Sequence, residues 1–395
     1  MAIILFDDNA HQTLQPLSFT RPVADMRVGI LTIAEKWAKH IKIDYSFHTQ
    51  AYLQGKFPLV IEERNLFING SVCPDEELLE AIAKLHGDEA LVKDGLFIAV
   101  KLNGTDAKAF NATDITKYKT VNYTGNFNAI KYPEDIFKYN PAEIRKDFKL
   151  ITKGRSSANI SSTNTIMGND IFVEEGATAD CSIFNTTIGP IYLGKNSQVW
   201  EASAIRGSFA LCNDSQVKMG SKIYSGTTIG PFCRVGGEVN NAVLWGYSSK
   251  GHEGYLGNSV LGEWCNIGAD TNNSNLKNNY TEVKLWDYAT HHFRKTGLQF
   301  CGLIMGDHAK CGINTMFNTG TVVGVGANVF GGGYPPNFIP DFGWGGKNHM
   351  ELYHLDKMME TAQRVFDRRE GRVFDENEKA ILKKVFELTK PYRRF

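Results

Sequence analysis

From Leu193 to Val235 an aliphatic residue falls on every sixth position: Leu193, Val199, Ile205, Leu211, Val217, Ile223, Ile229 and Val235. A helix returns its apolar face every 3.6 residues and a strand every 2, so this run requires short flat segments wound into a solenoid. Each hexapeptide forms one face of a triangular coil. Three faces close a turn, the aliphatic side chains stack inward, and the residues between them supply turns and outer wall. The spacing therefore predicts a left-handed parallel β-helix. An ordinary β-sandwich alternates with period two and produces such a run only by coincidence.

A second register appears at Met305, Cys311, Phe317, Val323 and Val329, with Gly306, Gly312 and Gly324 following three of them. Between the registers, Asp270 to Cys301 breaks the period with an Asn-rich stretch and is expected to be a loop leaving the coil, where ligand contacts concentrate. The coil is expected over residues 166–335. The Gly-rich stretch from Gly331 to Pro336 reads as the chain's way out. Residues 346–395 form a helical C-terminal extension, Asn377 to Thr389 included, suited to capping the coil's open edge.

Ahead of the coil the pattern changes to α/β. Ala2 to Phe6, Phe57 to Ile61 and Asn65 to Gly70 read as strands, and Val28 to Ala38 as a helix with Ile30, Ala34, Trp37 and Ala38 on one face. A second helix follows Pro74, with acids in its first turn and Gly87 beyond its end. Asp94-Gly95 between apolar runs is a hairpin signal, and residues from Tyr132 to Phe148 look helical. The domains are thus expected at 1–152, a polar linker at 153–165, the coil at 166–335 and the extension at 346–395.

Composition narrows the function classes. Lys plus Arg equals Asp plus Glu at 43 each, so no global field draws nucleic acid or an anionic membrane, and an anionic substrate must be held by local charges. No stretch approaches the roughly 18 apolar residues of a membrane span. The N-terminus lacks the basic region of a signal peptide. Seven cysteines without a C-x-x-C pair argue against a disulfide framework and against a zinc cluster, so the expected compartment is the cytoplasm and no metal site is assigned.

Three stretches depart from the hexapeptide pattern: Ile229 to Arg234, Lys250 to Gly257, and Leu261 to Asn275. Over about Ile229 to Gly332 the order and spacing of arginine, histidine, tyrosine and two asparagines resemble the bifunctional N-acetylglucosamine-1-phosphate uridylyltransferase/glucosamine-1-phosphate acetyltransferase family, in its variant form with a divergent N-terminal domain. The resemblance implies acetyl transfer from acetyl-CoA to the amine of an amino-sugar-1-phosphate. It puts His252 at the general base, a role that suits an imidazole because the amine attacks only when deprotonated. It makes Tyr255 a sugar contact, Arg234 a phosphate ligand, and Asn266 and Asn275 polar contacts to substrate. The backbone at Ala269 would face the thioester, and Gly331 lies near the pantetheine arm. A lysine of the family aligns with Asn240, leaving Lys250 as a candidate for that phosphate charge. The family's assembly implies a homotrimer.

The front of the chain resembles sugar nucleotidyltransferases, in Ala2 to Leu5, in Pro16 to Pro22 with Arg21, and in Phe67 to Leu78. This implies a Rossmann-like α/β fold and, if the domain is active, Mg²⁺ and a nucleoside triphosphate such as UTP. Three departures stand against that activity. The phosphate loop, Phe6 to Thr13, has no glycine. The expected lysine aligns with Val23, with Arg27 as its nearest substitute. Ser71 replaces the metal-binding aspartate.

Other readings stay open. Taken alone, His252 is a wall residue, Arg234 half of a surface ion pair and Asn275 a turn cap. An acetyltransferase with a degenerate front domain is one alternative. A hexapeptide carbonic anhydrase-like zinc protein, drawing on His252, His291, His292 and His308, is another. The last is a non-catalytic nucleotide-binding assembly protein.

Overall fold

The computed structural model describes residues 1–87, 89–369 and 371–395. The chain falls into two compact units: Met1–Leu14, Thr20–Met26 and Leu31–Tyr132 form the first, and Gln15–Phe19, Arg27–Ile30 and Pro133–Phe395 the second.

The first unit is built on a six-stranded sheet of β1 (Ala2–Phe6), β2 (Tyr45–His48), β3 (Arg64–Asn69), β4 (Glu89–Lys93), β5 (Leu96–Asn103) and β6 (Lys119–Asn122), in the order β2-β1-β3-β5-β4-β6. β1 is fully buried and pairs in parallel with both neighbours, which is why it reads as an unbroken apolar run. Asp94 and Gly95 both take positive φ (48° and 79°), the two-residue turn that joins β4 to β5. The short helix α1 (Ala10–Thr13) follows β1. Helix α2 (Ile33–Ile41) starts at a Thr32/Glu35 capping box, so it begins later than the Val28 its apolar face suggests. Asp75 caps α3 (Glu76–Ala83), and Asn103 caps α4 (Gly104–Lys108). The strand expected at Phe57 to Ile61 is irregular. Pro58 has no N–H for a ladder, and its carbonyl instead accepts from Phe47 N (3.1 Å) in β2, the strand that occupies the sheet edge.

The second unit is a parallel β-solenoid of about 10 turns. Its three walls can be followed through the register of their short strands. The first wall stacks Phe184, Ile205, Ile223, Val239 and Leu256 inward, and the second stacks Leu193, Leu211, Ile229, Leu244, Leu261, Met305 and Val323. The third stacks Val199, Val217, Val235, Lys250, Ile267, Cys311 and Val329. All eight residues of the first six-residue register are at most 3% exposed. The period fails after Val235 because the strand Glu238–Gly246 runs from the first wall to the second, bringing the next inward positions closer together at Val239 and Leu244.

The coil extends further than the sequence suggests at both interruptions. Asn272–Asn273 still pairs with Met316–Phe317, so the excursion leaves after them and carries its own antiparallel hairpin, Lys284–Asp287 with His292–Lys295. Beyond Gly331, Phe338–Ile339 and Gly343–Gly345 add to the second and third walls, so the coil does not end at residue 335. At the corner between those walls, Asp214, Phe232, Tyr247, Trp264, His308 and Phe342 all take positive φ (54° to 62°).

Helix α5 (Pro133–Thr152) belongs with this unit rather than with the front domain to which its position in the chain assigns it. Its Asn140 Nδ2 donates to Gly226 O (2.7 Å) and Thr228 Oγ1 (3.0 Å), while its Oδ1 accepts from Gly29 N (2.6 Å). Its Asp147 accepts from Ile30 N (2.8 Å). The extension forms α6 (Leu355–Phe366) and α7 (Glu376–Leu388). Phe366 stacks on Trp264 at 4.0 Å, and Phe386 meets Phe342 edge-on at 5.0 Å. Among the described residues no helix is long and apolar enough to cross a membrane.

Candidate functional site

The corner between the third and first walls carries His252. The chain arrives through Ser249–Lys250 on the third wall and leaves through Tyr255 on the first, so Gly251 to Gly254 make the bend. Gly254 sits at φ 115°, and a Cβ there would run into the carbonyl of Thr271, so the bend requires glycine. His252 is exposed.

Tyr255 points outward from the first wall. Its phenol accepts from Asn275 Nδ2 (3.0 Å), and the same amide donates to Asn258 Oδ1 (2.8 Å). Asn272 Oδ1 accepts from Tyr255 N (2.8 Å) and fixes the strand's start. Burial raises the Tyr255 hydroxyl above its ordinary value; hydrogen bonds from Asn240 and Asn275 oppose this and the Glu238 charge adds to it, so the group stays protonated. Tyr255 lies in register with Glu238, and Glu238 with Lys222. The wall thus presents a cation, a carboxylate and a phenol on successive turns, with Asn240 beside them. Lys222 and Glu238 escape a linear reading because they adjoin Tyr255 only through the coil, and Asn258 because it is tied to Tyr255 through Asn275. Counting back one turn at a time from Tyr255 would have found the first two.

Arg234 and Asn266 face outward from the third wall, in the row Gln216, Arg234, Ser249, Asn266 and Lys310. One Arg234 nitrogen donates to Asp214 O (2.8 Å) and Cys233 O (3.0 Å), holding the guanidinium against the wall. Burial and the nearby Arg369 charge lower its pKa. The expected substrate contacts therefore divide between two walls, Tyr255 and Asn275 on one and Arg234 and Asn266 on the other, with His252 at the shared corner. Ala269 lies in the next turn of that corner, between Ile267 and Asn272, its carbonyl accepting from Asn314 N (2.8 Å). Gly331 is exposed at φ 101°, with open space where a Cβ would be.

Lys250 does not meet a phosphate. Its side chain takes an inward position of the third wall, 1% exposed, and Nζ donates to the carbonyls of His252 (2.5 Å) and Glu253 (3.2 Å). Burial pulls it down to about 8.

In the first unit, the turn after β1 is occupied by its own carboxylates. Asp7 accepts from Val23 N (2.9 Å) and Thr49 Oγ1 (2.5 Å), and burial pushes it up to about 7. Asp8 accepts from Ala10 N (2.8 Å) and Asn69 Nδ2 (2.8 Å), and Ser71 Oγ donates to Asn69 Oδ1 (2.7 Å). Of the backbone donors that such a turn would offer to phosphate, Ala10 N is thereby engaged by Asp8, and Asp7 N donates to His48 O (3.0 Å). Arg21 is buried and paired with Asp25 (3.2 Å). Arg27 belongs to the second unit, where its guanidinium donates to Ile30 O and its carbonyl accepts from Trp245 Nε1 (3.1 Å). Among the described residues no three His, Cys, Asp or Glu side chains of the chain form a metal-ligating group.

Residues 3–156 match the family model described as sugar nucleotidyl transferase. No curated protein matches the chain. Among solved structures, UDP-N-acetylglucosamine acyltransferase from Campylobacter jejuni is 13% identical, covering 59% of this chain and 83% of that one at a TM-score of 0.24. The Arabidopsis UDP-N-acetylglucosamine acyltransferase is 14% identical, covering 60% and 97% at a TM-score of 0.21. The polySia-specific acetyltransferase NeuO is 16% identical, covering 50% and 83% at a TM-score of 0.19. The family model and all three of these structures describe transferases.

Proposed function

We propose that the coil transfers an acetyl group from acetyl-CoA to the amine of an amino-sugar-1-phosphate, with His252 as general base. The observation that carries this reading is an exposed imidazole at a glycine-built corner, next to the hydrogen-bonded Tyr255–Asn275 pair on the adjoining wall. The match of residues 3–156 to a sugar nucleotidyl transferase model supports a sugar-phosphate substrate. In the reaction the imidazole accepts a proton from the amine as nitrogen attacks the thioester carbon. The C–N bond forms, the C–S bond breaks, and the thiolate of CoA leaves and takes up the proton. Tyr255 and Asn275 orient the sugar, Asn266 contacts the substrate, and Arg234 binds the phosphate from the third wall. The N–H groups around Ala269 steady the oxyanion, and the pantetheine arm runs past Gly331. The assembly is a cytoplasmic homotrimer in which copies share these walls.

The test is acetyl-CoA consumption against glucosamine-1-phosphate and galactosamine-1-phosphate with the wild-type chain and His252→Ala. Turnover by the wild type and a loss of at least about 100-fold in the variant are expected. Absence of turnover with either sugar overturns the reading.

The occupied Asp7–Asp8 turn favours a front domain that binds a sugar phosphate without nucleotidyl transfer. Pyrophosphate release from UTP, Mg²⁺ and N-acetylglucosamine-1-phosphate at an ordinary enzymatic rate refutes that second reading.

A further inference from the structure

The inward column of the third wall is Val199, Val217, Val235, Lys250, Ile267, Cys311 and Val329. One cation stands in an otherwise apolar row. An ammonium withdrawn from water is costly unless its hydrogen bonds are replaced, and a hydrophobe of the same length would pack there without that cost. The replacements are both backbone carbonyls of the bend, those of His252 and Glu253. The carbonyls of Glu253 and Gly254 accept in turn from Asp270 N (3.0 Å) and Glu238 N (3.2 Å), in the turns on either side. The bend has glycine at Gly251 and Gly254, so its own backbone supplies little stiffness.

We propose that Lys250 is a positioning residue, an internal strut that fixes the His252 backbone from within the coil and so sets where the imidazole stands. This rests on the reading of His252 as the base. An apolar residue at this point would leave the carbonyl of His252 without that donor, and the bend free to pivot on its two glycines. Because proton transfer requires the base within hydrogen-bond reach of the amine, a shift of the bend acts on the chemical step more than on substrate binding.

The experiment compares Lys250→Met and Lys250→Arg in the full chain. Methionine keeps the length without a donor, and arginine keeps both charge and donors. For Lys250→Met the expected result is a melting temperature equal to or above wild type. Its kcat for acetyl transfer falls about 10- to 100-fold while both KM values stay within about threefold. Hydrogen exchange at the amides of Glu238 and Asp270, whose acceptors lie in the bend, accelerates, while exchange at Val217 and Val323 does not change. Lys250→Arg retains more of the kcat. Wild-type kcat in Lys250→Met, a loss confined to KM, or unchanged exchange at Glu238 and Asp270 overturns the proposal. If the wild-type chain transfers no acetyl group, the reading of His252 falls, and the exchange measurement still decides whether Lys250 holds the bend.

Discussion

Single side chains of the site respond differently to their settings. Tyr255 is half-buried, and Asn275 donates to its phenol, so the expected effect of Tyr255→Phe is a KM for the amino sugar about 5- to 20-fold higher with a smaller change in kcat, read from initial rates. Asp7 gives a pH prediction. Its folded value of about 7 lies above the ordinary 3.8, so the folded state binds the proton more tightly. Stability of the first unit therefore falls as pH rises from about 4 to about 7 and is level above that. Urea unfolding followed across that range should show the slope, and Asp7→Asn should remove it. The role of His252 as base rests on the family resemblance; the bend around it was legible, because Lys250 to Gly257 departs from the hexapeptide pattern. Lys222 and Glu238 were not, since their nearness to Tyr255 exists only once a turn closes. Arg234 faces outward from the third wall, whereas Tyr255 faces outward from the first.

The elements show where the hydrophobic pattern determines structure and where it gives way. The inward ladder at six-residue spacing is fully buried, and Leu211→Ala should cost about 2–5 kcal/mol in thermal unfolding because its neighbours above and below cannot collapse into the space. Lys250 and Asn273 occupy inward positions of the same kind, yet a search for aliphatic residues passes over them. Helix α5 was recognisable as a helix but not as part of the coil, because its attachment runs through the polar residues Asn140 and Asp147. Asn140→Ala leaves Gly29 N and Gly226 O without their partner, and a loss of about 1–3 kcal/mol is expected by calorimetry. The strand Tyr45–His48 was missed for a related reason: four residues with little alternation give no periodic signal.

At the scale of the whole molecule, the two-part organisation follows from a change of period along the chain, from α/β alternation to hexapeptides. The limits of the parts do not. Gln15–Phe19 and Arg27–Ile30 are short segments within the front of the chain, and nothing in their composition marks them as partners of the coil. Their assignment depends on contacts such as Thr228 Oγ1 to Gly29 O (2.9 Å), between residues 199 apart. That separation bears on synthesis. A ribosome adds roughly 5–20 residues per second, so Gly29 leaves the tunnel on the order of 10–40 seconds before Thr228 exists to meet it. During that interval the strands of the front segment emerge one after another, while the surface against which two of its loops are destined to close does not yet exist.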